Sequence, residues 1–455
     1  MKWQEQYKDK IRAPEEAVQV VKSGDFVRFA EVAAIQTCIS LASALAKRAP
    51  ELRGVTIETT LAKAADFGLL APGTEESWKT VTAFANDAPT VEKLSQRANQ
   101  TDFLPQWPSL ASLCDGPFRK DQKRAMWESE VCMVMISPPN EKGFVTFGSQ
   151  LWHLRKQVEH AKFVIGEVNN SMPVIPGGDN WMPVDAFDYL VEATIPVDVT
   201  AMASLKETPR EEQEPSEVCC ALMSELINDG DTLMFGAGAI PMRLPPFLEH
   251  KQDLGCHTEI IVPLDLMRKG VINNKRRNLC PGKTSCTAVA NSSPEDQAYL
   301  NGNPLFDMRD VELNNNPRYA CQNNNFVAIN APLQINLMGE ISLERIGYRY
   351  FRGTGGQVEL IIAALLSRGG RSIHGVVSRK LTAEGEWVSS IVPGFTQPAT
   401  VSIPRALADF VVTEYGIAKL MGKTERERAD ELIAIAHPDF RSELKKEAQK
   451  LLYVV

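Results

Sequence analysis

Short uninterrupted apolar runs alternate along this chain with segments of helical hydrophobic period, and the alternation is the first guide to its architecture. After Pro14 a helix-forming stretch through Lys22 stops at Ser23-Gly24-Asp25, and the apolar run Phe26 to Phe29 follows. A small-residue loop, Ala30-Glu31-Val32-Ala33, leads to a second helical stretch from Thr37 to Arg48, then Leu52-Arg53-Gly54 and the β-rich run Val55 to Thr59. About 200 residues later the same succession recurs. There a helix opening at Pro215 and Ser216, with Val218, Leu222 and Leu226 at i, i+4 spacing, stops at Asp229-Gly230. Strand Thr232 to Phe235 comes next, then Gly236-Ala237-Gly238-Ala239-Ile240-Pro241, a short helical stretch, Leu254-Gly255 and the strand-like Cys256 to Val262.

Doubly buried strands that alternate with helices belong to parallel sheets covered by helices. The pattern predicts an α/β protein of two related α/β domains with mainly parallel sheets. A chain of 455 residues also exceeds what one core supports. Lys206 to Glu217 is rich in Glu, Pro and Arg and nearly free of apolar residues, so it predicts an exposed linker. The expected domains are therefore 1–205 and 206–455.

Composition narrows the function classes. With 44% hydrophobic residues and no apolar run near the roughly 20 that a membrane span needs, a membrane protein is not expected. Met1 to Arg12 is polar and has no apolar core of a secretory signal, which points to the cytoplasm. Nine cysteines without a Cys-x-x-Cys pair, the adjacent Cys219 and Cys220 among them, argue for reduced, packed thiols. The six histidines, at 153, 160, 250, 257, 374 and 437, show no ligand spacing, so no metal is expected. A net charge of −8 lacks the basic footprint of a nucleic-acid binder, and the cluster Lys275-Arg276-Arg277 reads as a solvated loop after a helix. An anionic ligand must be held locally.

The two copies differ in the loop after their first strand. Gly236-Ala237-Gly238-Ala239 lets a ligand approach the backbone, which places the chemistry in the second half, beyond the carboxyl ends of the strands. The loop also resembles part of a dinucleotide fingerprint, with Glu259 23 residues after Gly236 at the spacing of a ribose-binding acid, but Pro241 stands where the third glycine belongs. A second cluster, Gly353-Thr354-Gly355-Gly356-Gln357, follows Arg349 and Arg352 and precedes the apolar run Val358 to Leu366. It reads either as a plain helix-entry or hairpin turn, or as amides that hold a phosphate or an oxyanion.

Three motifs now carry a resemblance. Gly-Ala-Gly-Ala-Ile-Pro at 236–241, Leu-Gly-Cys-His-Thr-Glu at 254–259 and Gly-Thr-Gly-Gly-Gln at 353–357 resemble the signatures of the acetyl-CoA hydrolase/transferase family, which includes 4-hydroxybutyrate and butyrate:acetate CoA-transferases. Ser137-Pro138-Pro139 with Gly143, Glu167-Val168-Asn169 with Met172-Pro173, and Ala328-Ile329-Asn330-Ala331 fit the same family in order. So do Val412 to Gly416, Gly422-Lys423, Arg428-Ala429 and Ile435 to Arg441.

The resemblance implies that Glu259 is the nucleophile. A carboxylate with an unperturbed pKa near about 4.3 is ionised at neutral pH and attacks a thioester without a general base. An acyl-glutamyl anhydride and then an enzyme-CoA thioester follow, with water excluded. The implied oxyanion donors are the backbone amides of Ala237, Gly355 and Gly356. Asn330 resembles a family active-site asparagine. Glu414 orients the nucleophile or ligand, or is only a helix N-terminal acid, and Lys423 is either a CoA phosphate contact or a surface lysine. Gly236, Gly238, Gly353 and Gln357 are implied to line the CoA site.

The surroundings depart from the family pattern. Ile260-Ile261-Val262-Pro263 follows the glutamate, Glu359-Leu360 replaces Asp-Phe, and Ile335 to Glu340 replaces Val-Asp-Leu-x-Gly-Gln. Butyrate, 4-hydroxybutyrate, acetate, succinate and itaconate therefore all stay open as acids. The expectation is a homo-oligomeric CoA-transferase, a dimer or dimer of dimers, with coenzyme A and acyl-CoA as substrates and no tightly bound cofactor. A thioester hydrolase, an NAD-dependent oxidoreductase and a non-catalytic acyl-CoA sensor are the rival readings.

Overall fold

The apolar run after Gly24 becomes strand β1 (Phe26–Ala30), buried along its whole length, and the strands that flank it follow in parallel. The computed structural model describes residues 2–30, 36–59, 68–82, 91–92, 95, 101–110, 128–197, 209–290, 293–382 and 384–452. They divide into two compact units, Met1–Met202 with Ser285–Asn314, and Ala203–Thr284 with Asn315–Val455. A single boundary at 205 assigned 285–314 to the second unit, whereas this segment packs with the first. The loop Glu31-Val32-Ala33 lies outside the described residues.

The first unit contains β1, α1 (Ile39–Ala46), β2 (Val55–Glu58), β3 (Trp78–Thr82), β4 (Thr101–Phe103), β5 (Val131–Ile136), α2 (Leu154–His160), β6 (Val164–Val168) and β7 (Tyr189–Glu192). Its strands form one parallel sheet in the order β4-β3-β2-β1-β5-β6-β7. The second unit contains α3 (Arg210–Ser224), β8 (Thr232–Phe235), α4 (Ala239–Arg243), β9 (Gly255–Cys256), β10 (Phe326–Asn330), α5 (Gln357–Leu366), β11 (Arg371–Gly375), β12 (Phe410–Thr413), β13 (Gly416–Lys419), α6 (Glu425–Ile435) and α7 (Pro438–Leu452). Its sheet runs β9-β8-β10-β11-β12-β13, parallel except for β13. In each sheet the first strand lies between the second and a later one, β2 and β5 around β1 and β9 and β10 around β8. The order thus reverses between β8 and β10, and in an open α/β sheet that point is where a crevice opens at the carboxyl ends.

Four local expectations need correction. Residues 210–217, read as linker, are the first half of α3, because Glu211 and Glu212 in its first turn suit the positive end of the helix. The stripe that α3 buries is Ser216, Cys219, Cys220 and Met223, while Val218 is exposed and Leu226 lies past the helix. Pairing in β9 ends at Cys256, so the run to Val262 is not a continuous strand.

Arg277 is the fourth. It is 3% exposed rather than solvated, and it threads under β9. Its guanidinium donates to Cys256 O at 2.9 Å, to Asn323 Oδ1 at 3.2 Å, to Lys283 O and to His257 Nδ1 at 3.2 Å, so that ring nitrogen is an acceptor. Gly255 makes room for it, since a Cβ there would lie 2.5 Å from Arg277 Cγ. Its neighbour Arg276 meets Asp253 at the surface. Arg277→Ala leaves several buried acceptors unpaired, each costing about 1–3 kcal/mol. Urea titration should show a loss of about 3 kcal/mol or more for that variant and a change within about 0.5 kcal/mol for Arg276→Ala. Equal effects would mean that Arg277 does not hold the β9 segment.

Candidate active site

The second unit brings one glycine turn against a buried carboxylate and ties a second glycine turn to the first. β8 stays paired past its end, with Gly236 N donating to Ile329 O at 2.8 Å. A Cβ at Gly236 would come within 2.7 Å of Asn330 Oδ1, and Gly238 takes φ 152°, so the turn needs both glycines. On the other side, His257 N makes a last ladder bond to Leu233 O at 3.0 Å. The Thr258 hydroxyl then occupies the ladder position, donating to Phe235 O at 3.2 Å and lying 3.3 Å from Phe235 N. This substitution of side chain for backbone turns the chain out of the sheet and delivers Glu259 to the carboxyl edge.

There the Glu259 carboxylate is 8% exposed. Asn315 Nδ2 donates to its Oε1 at 3.0 Å, and the Gly356 amide donates a second bond. Gly355 has φ 57°, and Gly356 is the N-cap of α5, so the carboxylate sits at the positive end of an apolar ten-residue helix. A Cβ on Gly356 would stand 2.5 Å from Glu259 Oε1 and 2.1 Å from Asn315 Nδ2. Burial pushes the Glu259 carboxyl up to about 7, against the lowering by Asn315 and Gly356. The group is thus about half ionised at neutral pH, unlike the fully ionised carboxylate expected from an ordinary glutamate, because desolvation disfavours the charged form.

Arg352 ties the turns together. It donates to Ala237 O and to Ala331 O, both at 3.2 Å, joining the loop after β8 and the residue after β10 to the chain that enters Gly353. Thr354 Oγ1 anchors the turn on Glu344 at 3.3 Å. Asn330, fully buried at the end of β10, has no partner for either side-chain atom among the described residues, and Gln357 Oε1 also lacks one.

The sequence reading thus converges on Glu259, Gly236, Ala237, Gly238, Asn330, Gly353, Gly355, Gly356 and Gln357 as one neighbourhood. Glu414 and Lys423 have other partners. Glu414 sits in the tight turn between β12 and β13, not at a helix start, and accepts from Ser378 N at 2.9 Å and Ser378 Oγ at 2.5 Å. Lys423 is paired with Glu431 of α6. Asn315 was missed, for nothing distinguishes it within Asn314-Asn315-Asn316. Arg352 was seen only as a residue flanking the turn. Among the described residues no helix is long and apolar enough to cross a membrane, and no group of three or more His, Cys, Asp or Glu is placed to hold a metal.

Known proteins resemble the chain along nearly its whole length. Residues 1–200 match the acetyl-CoA hydrolase/transferase N-terminal domain, and residues 296–448 match its C-terminal domain. The chain is 35% identical over 453 residues to the 4-hydroxybutyrate coenzyme A transferase of Clostridium kluyveri, covering 99% of this chain and 100% of that one. It is 30% identical over 457 residues to the butyryl-CoA:acetate CoA-transferase of Anaerostipes caccae, covering 99% and 98%. In three dimensions it is similar to RipA from Yersinia pestis, with a TM-score of 0.85, 28% identity and 100% of both chains covered. It is also similar to a 4-hydroxybutyrate CoA-transferase from Porphyromonas gingivalis, with a TM-score of 0.76, 30% identity and 98% and 99% covered. Matched by both domain models and by relatives along its whole length, the chain belongs to the acetyl-CoA hydrolase/transferase family.

Proposed function

We propose that the protein is a CoA-transferase that moves CoA between a small acyl-CoA and a small carboxylic acid by a ping-pong reaction through Glu259. The observation that carries this reading is a buried carboxylate held by Asn315 and by the Gly356 amide of the glycine turn that enters α5. Full-length relatives named as CoA-transferases support it.

The Glu259 carboxylate attacks the thioester carbonyl carbon. A C–O bond forms, the C–S bond breaks, and CoA leaves as the thiolate. The thiolate then attacks the glutamyl carbonyl carbon of the anhydride and expels the first acid as its carboxylate, leaving CoA on Glu259. An incoming carboxylate runs the two steps in reverse, and no proton is consumed. Gly356 N–H and Asn315 Nδ2 already face the glutamyl oxygen, so they are the donors for charge that develops on Glu259 itself. The Ala237 amide is the matching donor for the acyl oxygen, with Gly355 shaping the opposite turn. Asn330, its amide unpaired, presents donor and acceptor atoms to the substrate. Gly236, Gly238, Gly353 and Gln357 leave the backbone open to the pantetheine arm.

Glu259→Gln should fold yet lose on the order of a thousandfold or more in transfer from acetyl-CoA to butyrate. Wild type incubated with acyl-CoA should gain a CoA-sized mass on the peptide that contains Glu259. A Gln variant with full activity would end the proposal. Gly356→Ala, whose methyl displaces the carboxylate, should cost roughly 100-fold in kcat.

Titration gives a second test. kcat/KM for acyl-CoA should rise about tenfold per pH unit up to about 7 and then level off, as the nucleophile ionises. Stability runs the other way. The folded carboxyl, at about 7, binds its proton more tightly than the unfolded one at 4.5, so wild type loses stability as pH climbs between those values. Glu259→Gln escapes that loss, and denaturant titration above pH 7 should find it more stable than wild type by on the order of 3 kcal/mol. The two proteins should match near pH 4.5.

A further inference from the structure

Glu344 is a buried acid to which the transfer chemistry gives no role. It is 5% exposed, and its carboxylate accepts from Ser402 Oγ at 2.8 Å and from Thr354 Oγ1 at 3.3 Å, with no cation paired to it among the described residues. Its backbone carbonyl accepts from Phe351 N at 2.8 Å and Arg352 N at 3.3 Å. One residue thus grips the chain at 351, 352 and 354. Ser402 is itself tied down, for Leu343 N donates to its hydroxyl at 3.2 Å and its own amide donates to Ile341 O at 3.0 Å.

The glycine turn needs such a hold. Gly353, Gly355 and Gly356 carry no side chain, and glycine backbone loses the most freedom when it is fixed. Between Arg352 and Gln357 only Thr354 has a side chain with which to hold the turn, and it is 7% exposed. Two residues on, the Gly356 N–H donates to Glu259, whose Oε1 lies 2.5 Å from where a Cβ of residue 356 would stand. A displacement of about 1 Å takes that amide out of hydrogen-bond range. An ionised carboxylate is an acceptor only, so both hydroxyls must donate to Glu344, and Thr354 is left with one orientation.

We infer that Glu344 is a positioning residue of the transfer reaction, which acts through the Thr354 hydroxyl to keep the Gly356 amide on the Glu259 carboxylate. This rests on Glu259 as the transfer nucleophile. Burial, Asn315 and the Gly356 amide set the Glu259 carboxyl, and no charged side chain among the described residues joins them.

The test is kcat/KM for acetyl-CoA against pH, with butyrate as acceptor. Thr354→Val keeps the shape of the side chain and removes the donor. Its midpoint, near 7 in wild type, should move up by about one pH unit, because losing a bond to the charged form disfavours ionisation. At pH 7 the variant then keeps roughly a fifth of wild-type kcat/KM and recovers as pH rises. Glu344→Leu should move the midpoint the same way, and the double variant no further than either single one, since all three remove one bond. Glu344→Gln and Thr354→Ser can still make that bond and should stay near the wild-type midpoint.

A midpoint that Thr354→Val leaves in place overturns the inference, and this variant decides alone where Glu344→Leu fails to fold. So do additive shifts in the double variant, or a Glu344→Gln midpoint that moves as far as that of Glu344→Leu. A downward shift in Glu344→Leu also overturns it, since removing a mere negative charge favours ionisation of Glu259. If CoA labels Glu259 in wild type and no variant moves the midpoint, the positioning role falls and the transferase reading stands. If Glu259 is never labelled, both fall.

Discussion

Everything at the centre of the second unit depends on holding a carboxylate out of water without neutralising it. Burial alone favours the protonated acid, and three features oppose it: the Asn315 amide, the Gly356 N–H and the amino end of α5. The opposition is partial, and the carboxyl settles near 7. The contact exists only because residue 356 has no side chain, since a methyl there would overlap both Glu259 and Asn315. Glycine in this turn is therefore a requirement of close approach as much as of backbone conformation.

The two sheets show how one plan serves two ends. In the first unit β2 stays paired with β1 for three residues, and the buried Glu167 of β6 accepts from the amides of Ser40 and Leu41 at 3.2 and 3.0 Å, at the start of α1. That carboxylate, raised by burial as well, finds backbone donors much as Glu259 does, but it closes a helix end. In the second unit β9 leaves its partner after two residues, and Thr258 replaces the lost ladder with its hydroxyl. The early exit is what sets an acid at the switch point. Arg277 fills the space beneath, bonded to the carbonyl of Cys256 and the ring of His257, so the detour is braced from below.

The α/β class, the alternation of elements and the glycine turns were legible because each depends on a local rule: doubly buried strands read as apolar runs, and tight turns read as glycine. Side chains whose role comes from long-range packing were not. Asn315 looks like its neighbours until the fold puts it 3.0 Å from Glu259. Arg277 looks like Arg276 until one is found beneath a strand and the other at the surface. The apolar spacing of Val218, Leu222 and Leu226 suggested a buried face, yet the smaller Ser216, Cys219 and Cys220 are the residues that pack, because α3 approaches the sheet closely on that side. Glu414 and Lys423 carry charges that suit ligands, and each is instead taken by a neighbour, Ser378 and Glu431. The return of 285–314 to the first unit had no local mark in the sequence.

In the proposed transfer through Glu259, the raised carboxyl would also bias the first mixed anhydride toward the enzyme-CoA thioester. When CoA thiolate meets the mixed anhydride, attack on the acyl carbon expels Glu259 and undoes the first step, while attack on the glutamyl carbon expels the substrate acid and completes it. The group of lower pKa leaves more readily. A small acid in the ordinary carboxylate range, about 4 to 5, is thus a better leaving group than a glutamate held near 7. Donors poised on the glutamyl oxygen, Gly356 and Asn315, lower the same barrier from the other side. In the proposed reaction, burial that costs the folded protein stability would act twice in the first half, making the nucleophile more basic and favouring the enzyme-CoA thioester, while the same bias would oppose the second half, in which Glu259 must leave. An exposed glutamate of ordinary pKa, free of any desolvation cost, loses that bias.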